Sequence, residues 1–112
     1  MRFARLAVVV LAVAFAACSD STGSSNGGHG NSITVSNNFF NPTPDTAQAG
    51  VVTFTWSNAT NSHNVTWTGG PGTLPANSST MTSGTYAPTL AQGTYTHHCT
   101  IHAGMTGTIV VQ

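Results

Sequence analysis

The residues best suited to chemistry lie close together near the end of the chain. Cys99 is followed after three residues by His102, and His102 after three more by Met105. A thiolate, an imidazole and a thioether together suit a soft, polarisable ion, and because zinc sites rarely recruit methionine the set favours copper. One more imidazole would complete a trigonal site of two nitrogens and one thiolate with a weak axial sulfur, and His63 can supply it.

The N-terminal segment carries the pattern of an export signal. Arg2 and Arg5 precede an unbroken apolar run over residues 6–17, which is too short to span a bilayer permanently. The run ends in Phe15-Ala16-Ala17-Cys18, which resembles the lipobox of bacterial lipoproteins, where the signal is removed and the cysteine is lipidated. We therefore expect a signal peptide over residues 1–17 and a lipid on the cysteine. The alternative is an ordinary secretory signal that contains a chance cysteine.

A flexible tether is expected between the lipid and the folded part of the chain. Residues 19–31 are rich in Gly and Ser and have nothing to bury, so residues 18–31 are predicted to be a linker and residues 32–112 the domain. The chain contains only two cysteines, and if Cys18 carries lipid, Cys99 has no disulfide partner. A lone thiol in an oxidising compartment is a liability unless a metal occupies it, which is a second indication of a metal site.

Charge is almost absent from the mature chain. With the signal removed no Lys or Arg remains, and the only acidic residues are Asp20 and Asp45. Such a surface cannot bind nucleic acid by neutralising phosphates, and it offers little electrostatic steering toward a partner. We expect docking to rest on shape and apolar contact instead.

The pattern of the domain is that of short strands separated by turns. After the signal no segment keeps a 3.6-residue apolar period, and turn residues recur at 41–45, 69–72 and 87–88. Five segments alternate in polarity or run β-branched, namely 33–35, 51–56, 64–67, 93–97 and 108–111. About eighty residues of this kind predict an all-β fold, either an antiparallel sandwich or a barrel.

The order of these motifs resembles that of the cupredoxins, the type 1 blue copper proteins. Cys-x-x-His-x-x-Met followed by a glycine and an apolar last strand is similar to their C-terminal ligand loop, and its short His-to-Met spacing is closest to amicyanin. Upstream, residues 38–42, 49–58 and 63–65 resemble the order of cupredoxin strands before the first histidine ligand. The resemblance covers essentially residues 32–112 and implies a Greek-key β-sandwich or barrel that binds one type 1 copper ion.

The resemblance also implies a role for individual residues. Three equatorial copper ligands and one axial ligand are implied, in this order: His63, Cys99, His102 and Met105. Asn64 matches the family asparagine whose side chain reaches the residue after the cysteine, here Thr100, and so ties the two ligand segments together. Hydrogen bonds of this kind hold the thiolate and tune the reduction potential.

Three further residues carry imidazole or sulfur near this set. In a strand, His97 shares a face with Tyr95 and Cys99 and points inward, whereas His98 points outward. The family usually has an aromatic residue at the first of these positions, and we expect a neutral core histidine there, the alternative being a partner that tunes the site. We expect His98 to be solvated, although it stands where plastocyanin has a surface tyrosine used as a second electron route. Met81 lies outside the ligand loop and is expected on the surface or in the core.

Partners are expected at the end of the barrel where the family exposes its second ligand histidine. Ala103, Gly104 and the turn at residues 69–72 are predicted to frame His102 with a small, uncharged patch over which redox proteins dock. We expect a monomer, held at the periplasmic or outer face of a bacterial membrane through the lipid.

Four functions are compatible with parts of this pattern. The first is an electron carrier, not an enzyme, that shuttles single electrons between exported redox partners as copper alternates between Cu(II) and Cu(I). The alternative is a periplasmic protein that binds or delivers copper, although such sites are usually open and rich in Met or Cys. A fragment of a multicopper oxidase or nitrite reductase would need further histidine clusters, and the spare histidines are His29, His97 and His98. The fourth is a metal-free sandwich used for adhesion, which would not explain the set of His63, Cys99, His102 and Met105.

Overall fold

The computed structural model describes residues 30–112, in which the chain forms ten strands and no helix. In chain order the strands are β1 Ser32–Ser36, β2 Phe39–Asn41, β3 Asp45–Ala47, β4 Gly50–Val51, β5 Thr53–Trp56, β6 Thr66–Gly69, β7 Gly84–Tyr86, β8 Thr89–Leu90, β9 Gly93–His98 and β10 Thr106–Val111. The predicted signal peptide, the lipid on Cys18 and the linker histidine His29 lie outside the described residues. Within residues 30–112 we find no helix long and apolar enough to cross a membrane.

The strands form two four-stranded sheets and one short pair, which confirms the predicted all-β class. The sheet orders are β2-β1-β5-β7 and β3-β10-β9-β6, and β4 pairs with β8. Pairing is antiparallel except between β1 and β5 and between β3 and β10, which are parallel. The antiparallel pairing expected from the sequence therefore does not extend to these two pairs. Parallel neighbours require a crossover connection, and short-range patterns do not reveal which distant strand a crossover reaches.

The five predicted segments each overlap a strand, but their limits differ from the prediction. The segment 51–56 is divided at Val52 between β4 and β5; this residue is buried and donates its N–H to the carbonyl of Pro88, which stands opposite it in the register of β4 and β8. The segment 64–67 becomes a strand only at Thr66. The strands β3, β7 and β8 were not predicted, and β2 was indicated only by the resemblance of residues 38–42, because two or three residues are too few to show an alternating pattern.

Aromatic side chains from both sheets meet in the core. Phe54 of β5 packs edge-to-face against Trp67 of β6 and His97 of β9, with ring centroids 6.1 Å and 5.3 Å apart. Phe40 of β2 approaches His97 more closely, at 4.5 Å. Such edge-to-face pairs add to the stabilisation from buried apolar area. These contacts hold the two sheets together, and the packed sheets position the loops at the ends of the sandwich.

His97 lies inside this core, as its place in the strand predicts. It is 2 % exposed, and neither ring nitrogen has a hydrogen-bond partner within residues 30–112. Burial lowers its pKa from 6.5 to about 4, with the charge of His98 as the smaller cause, so the ring is neutral at neutral pH. The ring packs against Gly107 of the neighbouring strand β10, where a Cβ would overlap Nε2.

Candidate metal centre

Three potential ligands meet at one end of the sandwich. One ligand atom from each of His63, Cys99 and His102 lies within 4.8 Å of the other two. The sulfur of Cys99 is 4.0 Å from Nδ1 of His63 and 3.7 Å from Nδ1 of His102. Metal bonds of about 2.0 Å to nitrogen and 2.3 Å to sulfur, set at trigonal angles, separate nitrogen from sulfur by about 3.7 Å. The observed separations therefore match three atoms arranged around a single ion.

His63 is held by hydrogen bonds to both its main-chain N–H and its carbonyl. Its N–H donates to the carbonyl of Met81 at 2.9 Å, and its own carbonyl accepts from the N–H of Met81 at 2.9 Å. Nε1 of Trp56, at the end of β5, donates to the same carbonyl at 3.2 Å. The side chain of His63 is fully buried. The role of Met81 in the structure is thus to hold this histidine through its backbone.

The β9–β10 hairpin places the other residues of the set. Its ladder runs from the Gly93–Val111 pair to the His98–Thr106 pair, so Cys99 and Met105 face each other directly beyond its last pair. The N–H of Cys99 donates to the carbonyl of Met105 at 2.9 Å. Both side chains are buried, at 3 % and 2 % exposure. Alternation along β9 turns the cysteine inward, on the same face as His97.

His102 lies in the loop that closes this hairpin. The N–H of Met105 donates to its carbonyl at 3.2 Å, and Gly104 turns the chain with φ of 81°, a conformation that favours glycine. The ring of His102 is only partly buried, and its centroid is 4.6 Å from that of His63. The loop therefore presents one histidine to solvent while the other three residues of the set are enclosed.

Asn64 connects the two halves of the site. Its Nδ2 donates to Oγ1 of Thr100 at 2.8 Å and to Oγ1 of Thr80 at 3.2 Å. Its Oδ1 accepts from the main-chain N–H of Thr100 at 3.1 Å and from the hydroxyl of Thr66 at 3.1 Å. The residue after His63 is thereby bound to the residue after Cys99.

The electrostatics suit a site that holds neutral imidazoles. Burial lowers the pKa of His63, and the charge of the neighbouring His102 lowers it further. Metal ions bind histidine only through an unprotonated nitrogen, so a lowered pKa keeps this nitrogen available at neutral pH. Within the described part of the chain the only acidic or basic side chain, histidines aside, is Asp45, and it is fully buried.

This donor set fits a single type 1 copper ion. Two imidazole nitrogens and one thiolate converge, and a buried methionine is carried by the same hairpin as the thiolate. Trigonal His₂Cys sites with a weak axial thioether are the chemistry of blue copper, whereas structural zinc sites use four His, Cys or carboxylate ligands.

The surroundings of His102 differ from the prediction in one respect. A Cβ on Gly93, the first residue of β9, would lie 2.5 Å from Cγ of Pro71, so the turn at residues 69–72 packs at that end of the strand. Cys99 follows the other end of β9, about 20 Å away for a six-residue strand. The prediction that this turn frames His102 is wrong, because β6 runs antiparallel to β9 and carries the turn away from the site. The exposed residues beside His102 are Ile101, at 50 % exposure, and Ala103.

Sequence reasoning did not single out Asn37, which contacts the site from the turn between β1 and β2. Its Oδ1 accepts from the N–H of Thr60 at 3.0 Å and of Asn61 at 3.2 Å, and lies 3.3 Å from Nε2 of His63. The local signal is only that of a polar turn. No periodic pattern joins it to a histidine 26 residues later.

Comparison with known proteins identifies the architecture. No protein-family model matches the chain, and no curated protein matches it in sequence. Among solved structures, a purple cupredoxin from Nitrosopumilus maritimus gives a TM-score of 0.62 at 21 % identity, over 72 % of this chain and 98 % of its own. A single-residue variant of amicyanin gives 0.62 at 24 % identity, over 79 % of this chain and 85 % of its own. A copper-containing nitrite reductase from Thermus scotoductus gives 0.62 at 22 % identity, over 75 % of this chain but only 22 % of the reductase.

Proposed function

Because residues 30–112 have the cupredoxin fold, we propose that this protein is an exported one-electron carrier that binds a single type 1 copper ion. The observation that carries the proposal is the convergence of Nδ1 of His63, Sγ of Cys99 and Nδ1 of His102. In this proposal these three residues would hold the ion through two imidazole nitrogens and one thiolate, and Met105 would add a weaker thioether ligand. Bound copper supplies a one-electron change between Cu(II) and Cu(I).

The protein's contribution is to hold the donors in one arrangement. The N–H and the carbonyl of His63 both form hydrogen bonds with the main chain of Met81, and the N–H of Cys99 donates to the carbonyl of Met105. Asn64 locks the two ligand segments to each other. Donors held this rigidly have little to rearrange when the charge of the site changes by one, and a small rearrangement favours fast electron exchange.

The partly exposed ring of His102 is the proposed point of electron entry and exit. Ile101 and Ala103 are exposed on either side of it and carry no charge. We propose that redox proteins dock over this histidine by apolar contact, with no charged groups to steer them. A monomer is sufficient for this role.

The proposed location is the periplasmic or outer face of a bacterial membrane. The support is the export pattern of residues 1–17 and the similarity of Phe15-Ala16-Ala17-Cys18 to a lipobox. A lipid on Cys18 and the linker that follows would keep the domain close to membrane-bound partners.

Burial favours electron transfer over copper delivery. His63, Cys99 and Met105 are enclosed, whereas a protein that hands copper to a partner needs ligands that the partner can reach. The similarity to a nitrite reductase covers about a fifth of that enzyme's chain. It therefore supports the fold of this chain but does not support a reductase activity. We propose that the chain is not itself an enzyme.

The test is spectroscopic. Residues 19–112 are loaded with one equivalent of Cu(II), and the visible and electron-spin-resonance spectra are recorded. We expect an intense thiolate-to-copper band with a narrow parallel hyperfine splitting, which is lost in Cys99→Ser and retained in the matched control His98→Gln. A pale solution with an ordinary tetragonal signal would show that the four residues do not converge on one ion, and would refute the electron-carrier proposal.

A further inference from the structure

Hydrogen bonds to Thr60 and Asn61 fix the orientation of the Asn37 carboxamide independently of the metal site. Two backbone N–H groups, of Thr60 and Asn61, point at one of its terminal atoms at 3.0 Å and 3.2 Å, and an N–H group can donate only to the oxygen. The other terminal atom lies 2.7 Å from the hydroxyl oxygen of Thr60. The atom that faces the ring of His63 is therefore Oδ1, an acceptor with no proton to give.

An acceptor in this position determines which nitrogen of the ring carries the proton. Oδ1 lies 3.3 Å from Nε2 of His63, and two facing lone pairs would repel, so Nε2 must be the protonated nitrogen and the donor. Nδ1 then holds the free lone pair. That is the nitrogen that faces Sγ of Cys99 at 4.0 Å.

We propose that Asn37 is a positioning residue that sets the tautomer and the orientation of His63, by accepting the Nε2–H bond so that the lone pair of Nδ1 is directed at the metal position. The proposal concerns the ligand of the proposed copper site, and it rests on the proposed function only for the identity of the ion. Such a partner normally fixes ring orientation and raises the basicity of the ligand.

The same carboxamide also holds the segment that leads into the ligand. Thr60 and Asn61, which donate their N–H groups to it, lie three and two residues before His63. Asn37 is itself placed by the two-residue turn between the paired Ser36 and Phe39, in which Asn38 adopts φ of 67°. One side chain of the first hairpin thus fixes both the ring and the approach of the chain to it.

The first test needs no metal. In ¹⁵N-labelled, copper-free protein at pH 8, long-range proton–nitrogen correlations distinguish the protonated from the unprotonated nitrogen of each histidine. We expect a single Nε2–H tautomer for His63 in the natural chain and in Asn37→Asp, which keeps the acceptor, and a mixture of tautomers in Asn37→Ala. The matched control is Asn77→Ala, which removes an asparagine that accepts the N–H of Trp67 and touches no ligand. An unchanged single tautomer in Asn37→Ala overturns the proposal, whatever ion the site binds.

The second test uses the copper-loaded protein and separates positioning from a structural role. We expect Asn37→Ala to lower copper affinity about 10–100-fold and to raise the reduction potential, because the ring becomes a less basic donor to Cu(II). Asn37→Asp supplies a stronger acceptor and is expected to lower the potential. The control for added charge is Asn61→Asp, which lies in the segment that leads to His63 and is exposed; it should shift the potential less than Asn37→Asp does. If both Asn37 variants shift the potential in the same direction, or if Asn61→Asp matches Asn37→Asp, the residue does not act through His63.

Discussion

Asn64 and Thr100, 36 residues apart, are joined by two hydrogen bonds through a single carboxamide. Nδ2 donates to the hydroxyl of Thr100 at 2.8 Å, and Oδ1 accepts from its main-chain N–H at 3.1 Å. This clamp closes the loop of chain from residue 64 to residue 100, which contains Cys99 and begins directly after His63. Asn64 is 5 % exposed, whereas Thr100 is an exposed residue, so the clamp lies where the core meets the surface.

Replacing Asn64 with alanine should lower the free energy of unfolding of the copper-free protein by about 1–3 kcal/mol, since the four hydrogen bonds of this buried carboxamide would be lost. Denaturant unfolding at neutral pH measures the change. The control is Asn61→Ala, an exposed side chain, which should stay within about 0.5 kcal/mol of the natural chain. Equal effects of the two substitutions would show that the clamp contributes nothing.

His97 should make the copper-free protein less stable as the pH falls from 6.5 toward 4. The folded chain lowers the pKa of this ring from 6.5 to about 4, chiefly by burial. Between these values the unfolded chain binds a proton that the folded chain does not, so the stability present above pH 6.5 declines as the pH falls through this window. The loss corresponds to about 3 kcal/mol.

Denaturant unfolding at pH 7.5, 5.5 and 4 tests this, in the natural chain and in His97→Leu. Because His63, whose pKa is also lowered, is present in both, the difference between the two pH profiles isolates His97. We expect the variant to lose less stability on acidification. Parallel profiles would mean that the ring accepts a proton in the folded state without penalty.

The contact between Gly107 and His97 can be tested by a double-mutant cycle. A Cβ on Gly107 would lie well under 3.0 Å from Nε2 of His97, so Gly107→Ala should cost about 1–3 kcal/mol in the free energy of unfolding. In a His97→Val background the added methyl group has room, and the cost should fall, with a coupling of about 0.5–3 kcal/mol. Additive effects would assign the cost of Gly107→Ala to the backbone and not to this contact.

Electron self-exchange between copies of the copper-loaded protein should depend little on salt. The described surface has no Lys, Arg, Asp or Glu side chain exposed, so two copies meet without appreciable steering or repulsion. Ala103→Asp adds a charge to both surfaces beside His102, and it should slow self-exchange at low ionic strength, with recovery in salt and an unchanged copper spectrum. Thr94→Asp, exposed near the far end of β9, is the control and should leave the rate unaltered. An unaffected rate in Ala103→Asp would place electron exit away from His102.

Local patterns in the sequence predicted features that depend on residues close together in the chain. Alternation in β9 predicts that His97 and Cys99 point inward, and both are buried. The resemblance to the cupredoxins implied that Cys99, His102 and Met105 share one loop, and the three lie in the loop between β9 and β10. Strands of four or more residues were also foreseen, since period-two alternation needs about that length to appear.

Contacts between residues far apart in the sequence could not be predicted from local patterns. The turn at residues 69–72 was expected beside His102 and lies at the other end of β9, because the direction of β6 relative to β9 follows from sheet pairing and not from local residue types. The contact of Asn37 with His63 has no sequence signal either, since any polar turn would serve the hairpin equally well. Strand pairing depends on how the whole core packs.

The sequence by itself therefore determined the kind of chemistry and the class of fold. Cysteine, histidine and methionine at short spacing specify soft-metal ligands, and the β-branched alternation specifies sheets, because both follow from covalent structure and local geometry. The resemblance implied that His63 joins Cys99 and that Asn64 reaches Thr100, but only the tertiary structure gives the distances of these contacts and places an asparagine from the first hairpin against the ring of His63. These contacts join residues 26 to 36 positions apart, and they exist only once burial of the two apolar sheet faces has brought distant strands together.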